Sequence, residues 1–78
     1  MTEDTPELDR MQKAYTTALE EWLAAIRHEE ALVSVAPHSI AEVDKWEQAH
    51  FDEEKLRNKV KGAKKSYEDA LREKFFHF

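Results

Sequence analysis

Apolar residues recur every three or four positions along two long stretches of this chain. In the first stretch Leu8, Met11, Tyr15, Ala18, Trp22, Ala25 and Leu32 fall on one line, with Glu29 holding the place between the last two. Leu19, Ile26 and Val33 widen that line on one flank, and Leu23 falls outside it. This is the pattern of a helix with one buried face. Thr5-Pro6-Glu7 supplies a start signal. Threonine caps, proline takes the first helical position where its missing N–H costs nothing, and the glutamate faces the positive helix end. The pattern predicts a helix over about 6–34.

The second stretch reads Val43, Trp46, Ala49, Glu53, Leu56, Val60, Ala63, Tyr67, Ala70 with Leu71, and Lys74, with His50 beside Ala49. It predicts a helix over about 40–76. A seven-residue repeat fits it better than a straight 3.6-residue period, a mismatch of about 20° per heptad that implies a left-handed supercoil. Between the stretches, Pro37 disfavours helix for the residue before it. Ser39-Ile40-Ala41-Glu42 then has the spacing of a capping box. The Ser39 hydroxyl should take the N–H of Glu42, and the Glu42 carboxylate should return to the N–H of Ser39. A turn at about 35–39 between two long helices gives an all-α, antiparallel, coiled-coil-like hairpin. It forms a single domain over residues 1–78. Gly62 is the one glycine, either a tolerated defect in the second helix or the mark of a close crossing.

Counting equal steps from the turn, position i lies opposite about 74 − i. Leu8 then meets the region of Ser66, Glu29 meets Lys45, Glu53 meets Glu21, and Glu47 meets Arg27. On that register Tyr67, Leu71, Phe75, Phe76 and Phe78 overhang the first helix. Three phenylalanines among the last four residues are poorly suited to water. With Tyr15, Trp22 and Trp46 they form the expected interface, and the partner is a second copy, making a four-helix bundle, or another helical protein.

Composition sharpens this. At 78 residues the chain has room for one small domain, of a size that often needs disulfides, metal or oligomerisation. It has no cysteine, so disulfides, thiol nucleophiles and cysteine-based metal sites are excluded. No apolar run approaches the roughly 18 residues of a membrane span. The first residues are acidic where a signal peptide would be basic, and a cytoplasmic protein is expected. Residues 1–54 carry 4 Lys/Arg and 14 Asp/Glu, and residues 55–78 carry 8 and 3. The basic segment 55–65 is a weak nucleic-acid candidate. Its charges spread around the helix and the net charge is −5, so pairing with acidic helix surface fits better.

Candidate chemistry is sparse. Glu47 and His50 form Glu-x-x-His, which places both side chains on one helix face, as in di-iron carboxylate bundles. In architecture and in this pair the chain is similar to the encapsulated ferritins. That resemblance implies a di-iron site completed only across a dimer. His28, His38 and His50 gather towards the turn end and could hold zinc or respond to pH. His77 lies in the terminal aromatic cluster. The serines lack any Gly-rich elbow, and no glycine loop suits phosphate. No catalytic or cofactor-binding residue is therefore assigned. The expectation is a non-catalytic helical assembly module. The alternatives are a metal-binding bundle around Glu47 and His50, a subunit of a hetero-complex, or a weak nucleic-acid binder.

Overall fold

The computed structural model describes residues 5–76. Two helices account for nearly all of them: α1, Thr5–Val33, and α2, Ile40–Phe76. They pack against each other as an antiparallel hairpin. Neither is long and apolar enough to cross a membrane. The molecule measures 58 × 20 × 14 Å, with a radius of gyration of 17.6 Å. A compact chain of this length would have about 11.5 Å. The shape is a rod, and its core is a seam rather than a centre.

The seam follows the apolar line of each helix. Ala18, Ala49 and Val60 are buried, and among the described residues no large side chain is fully enclosed. Small residues at the middle of the contact let the backbones approach. Leu8, Met11, Tyr15, Trp22, Ala25, Glu29 and Leu32 of α1 are half-buried around them. So are Val43, Trp46, Leu56, Ala63, Tyr67, Ala70, Leu71 and Lys74 of α2. The flank Leu19, Ile26 and Val33, expected to widen the buried face, is instead exposed at 36%, 39% and 47%, beside Leu23 at 47%. One partner helix covers only a narrow stripe, so this edge has nothing to pack against within the hairpin.

The turn occupies Ser34 to Ser39. The end of α1 closes through the Ser34 N–H and the Ser34 hydroxyl, which both donate to the Glu30 carbonyl at 3.0 and 2.7 Å. Half of the expected capping box forms: the Glu42 N–H donates to the Ser39 hydroxyl at 3.4 Å. The return arm does not reach Ser39. Glu42 Oε1 accepts from the His38 N–H at 2.6 Å, one residue earlier, which ties the loop itself to the first turn of α2. Gly62 is exposed, and a Cβ built there meets nothing within 4 Å, so the glycine marks no close crossing.

The helices are offset from equal-step counting. The Trp46 indole donates to the Leu32 carbonyl at 3.1 Å, His50 meets Glu29, Trp22 meets Glu53, Lys59 meets Glu21, and the Tyr15 and Tyr67 rings lie 6.4 Å apart. In every pair the α2 member lies farther from the turn than counting predicts. The cause is the tilt of side chains towards their own N-terminus. In α1 that direction leads away from the turn, and in α2 it leads towards it. A residue of α1 therefore meets one set deeper along α2. This corrects the overhang. Tyr67 packs on Tyr15, and Leu71 and Lys74 are half-buried. Of the expected overhang, Phe75 and Phe76 are exposed, at 64% and 62%. Phe78 and His77 lie outside the described residues.

Candidate functional site

Towards the turn end of the seam the apolar line of each helix is broken by a glutamate. Glu29 of α1 and Glu53 of α2 both take core positions, and Glu53 is only 9% exposed. A carboxylate so placed needs partners, since burying an unpaired charge is costly. Equal-step counting set Glu29 opposite Lys45 and Glu53 opposite Glu21. Glu53 instead finds two other partners. The Trp22 indole N–H donates to Glu53 Oε2 from across the seam. The other oxygen, Oε1, faces His50 Nδ1 at 3.9 Å, one helical turn back along α2. The same His50 nitrogen lies 3.2 Å from Glu29 Oε2. Glu29 therefore meets His50 and not Lys45.

On its other side His50 presents Nε2 to Glu54 Oε2 at 3.9 Å, and Glu54 accepts from Arg57 at 3.3 Å. One imidazole thus sits among three carboxylates, with a single arginine at the rim. The cluster runs from the inside outwards: the Glu53 side chain is 11% exposed, Glu29 27% and His50 58%. Glu29, His50 and Glu53 each offer one ligand atom, and those atoms all lie within 4.8 Å of one another.

Of the two residues expected to bind metal, His50 belongs to this cluster and Glu47 does not. Glu47 is exposed, and lines an open hollow with Glu29, Val33, Val43, Trp46 and His50. The partner carboxylates of His50 come instead from the far helix and from the turn after it on α2. His28 is exposed and stands apart from the group, and His38 enters the turn through its backbone N–H. Sequence counting missed Glu29 as the cross-seam partner because its register was a turn short. The signal was nonetheless present: Glu29 and Glu53 are the acidic interruptions of the two apolar lines.

Much of the basic segment is engaged within the hairpin. Lys59 pairs with Glu21 at 2.9 Å, Lys64 with Glu68 at 3.0 Å and Lys65 with Asp69 at 3.0 Å. Lys55 lies over the Phe51 ring at 4.8 Å. Of these lysine bridges, that of Lys59 joins the two helices, and it draws the acidic and basic halves together.

The chain matches no family model, no curated protein and no solved structure. Its function has to be argued from its own geometry.

Proposed function

We propose that this chain is a non-catalytic helical assembly module that pairs with a second copy of itself, two hairpins forming a four-helix bundle. The observation that carries the reading is surface left uncovered. The hairpin exposes 6162 Å². A compact monomer of its mass would expose about 4,900 Å². Much of the excess follows from the rod shape, and the part that bears on pairing is apolar.

The exposed surface has an apolar edge, interrupted once by Glu30. Leu19, Leu23, Ile26 and Val33 follow one another along α1 at helical spacing, next to the seam. At ~1.5 Å per residue they run for roughly 21 Å. A second hairpin laid along this edge would complete the burial that one partner helix leaves unfinished. Tyr15, Trp22, Trp46, Tyr67 and Leu71 already line the half-buried seam and would form the inner wall of that bundle. Phe75 and Phe76 would cover its open end. The absence of cysteine suits a reducing cytoplasm.

Sedimentation equilibrium at micromolar concentration tests the pairing. A dimer is expected for the native chain. The double variant Leu23→Glu/Ile26→Glu should be a monomer of unchanged helicity, because both side chains already face water in the hairpin. A native chain that sediments as a monomer overturns the reading.

A further inference from the structure

The geometry points to a binding site for a divalent transition-metal ion within each hairpin, held by Glu29, His50 and Glu53. It goes beyond the pairing proposal and does not depend on it, because all three ligands belong to one chain.

The donor spacing suits one ion. Ligands about 2.0–2.1 Å from a tetrahedral zinc ion stand roughly 3.4 Å from each other. The His50 Nδ1 to Glu29 Oε2 distance is 3.2 Å and the His50 Nδ1 to Glu53 Oε1 distance is 3.9 Å. The three ligand atoms spread over up to 4.8 Å, so the two carboxylates must close by about 1.4 Å, within the reach of side-chain rotation, to bring three donors onto one centre. Both oxygens face the same ring nitrogen, so an ion on the Nδ1 lone pair lies between the two carboxylates.

Independent contacts support these ligands from behind. Metal-binding histidines characteristically give their second ring nitrogen to a carboxylate, and ligating carboxylates are themselves hydrogen-bonded. Here Nε2 of His50 faces Glu54 at 3.9 Å, wider than a hydrogen bond but on the side such a partner takes, and the second oxygen of Glu53 is held by the Trp22 indole. The charge balance also calls for a cation. Glu53 is 9% exposed, and its polar partners are the neutral indole and the imidazole edge. Around it Glu29 and Glu54 add two more negative charges, against the one positive charge of Arg57. A dication relieves that imbalance.

The exposed face of His50 gives an ion a way in and leaves a coordination position open to water. One imidazole with two carboxylates selects zinc, manganese or ferrous iron. Calcium, which takes six to eight oxygens, is disfavoured. The set also differs from the Glu-x-x-His pair read from the sequence, since Glu47 takes no part.

Isothermal titration of the full chain with zinc chloride tests the site, with cobalt(II) absorption as a second readout. Saturable binding of one ion per chain is expected. Cobalt should give visible bands of a low-symmetry nitrogen–oxygen site. His50→Ala and Glu29→Gln should each weaken zinc binding at least about tenfold, and Glu54→Gln by about tenfold through lost support. Glu47→Gln, His28→Ala and His38→Ala should leave it unchanged. Glu29 is only half-buried, so Glu29→Gln should keep the native helical circular dichroism and reads the site even if His50→Ala fails to fold. The Leu23→Glu/Ile26→Glu variant should still bind zinc, which separates this site from the pairing proposal. Absence of saturable binding at millimolar zinc overturns the assignment. So does binding that survives Glu29→Gln, or that is lost with His28 or His38.

Discussion

At the residue scale the hairpin depends on one cross-seam contact of unequal character. The Trp22 indole gives its N–H to Glu53, a buried carboxylate. Removing the donor while keeping the acid leaves an oxygen buried without its partner, which costs about 1–3 kcal/mol. Trp22→Phe should therefore destabilise the chain by that amount in urea unfolding in metal-free buffer. Replacing both partners removes the polar liability as well as the bond, and such exchanges are often close to neutral. Trp22→Phe/Glu53→Leu should regain most of the loss. If the double variant is as unstable as the two single variants added together, Glu53 does not depend on Trp22. Spacing alone showed that Glu29 and Glu53 interrupt apolar lines. It did not show what they touch, because contact across a seam depends on the direction of side chains as well as the count of residues. His50 is the clearest case. Counting set it opposite Ala24, and the tilt of both helices brings it to Glu29.

At the element scale both helices were legible from periodicity, to within one residue at each end. The apolar line of α1 is the covered line in the structure, buried at Ala18 and half-buried at its other positions from Leu8 to Leu32. The flank was misread because periodicity reports which side is apolar, and the width of the covering partner decides how much of that side is buried. Ser39 was legible as a cap since its hydroxyl acts within three residues. The carboxylate of Glu42 was not, because loop geometry beyond Pro37 decides which N–H it finds. Gly62 is the weakest position in α2 by propensity, and the structure gives it no compensating role. It is exposed, helical and surrounded by open space. Gly62→Ala should stabilise α2 by about 1 kcal/mol, seen as a higher thermal midpoint with unchanged zinc titration. A loss of stability would mean that Gly62 packs against something outside the hairpin.

At the scale of the whole molecule, folding and pairing should be linked equilibria. A rod of two helices in which no large side chain among the described residues is fully enclosed has little core of its own, and domains this small are marginal. If the Leu19–Val33 edge is covered only when two hairpins meet, part of the stabilising burial exists only in the dimer. Unfolding then releases two chains, and its midpoint must rise with protein concentration. A tenfold increase adds about 1.4 kcal/mol to the stability of the pair. For a unit of roughly 150 residues that is an upward shift of about 3–6 °C. Calorimetry over a hundredfold range should therefore move the native midpoint by about 6–12 °C. The Leu23→Glu/Ile26→Glu variant should melt at one temperature throughout. It should also melt below the native chain at every concentration at which the latter is paired, since the hairpin alone lacks the second layer. A native midpoint that does not move with concentration would mean that the hairpin is stable alone, and that its uncovered edge belongs to a different protein.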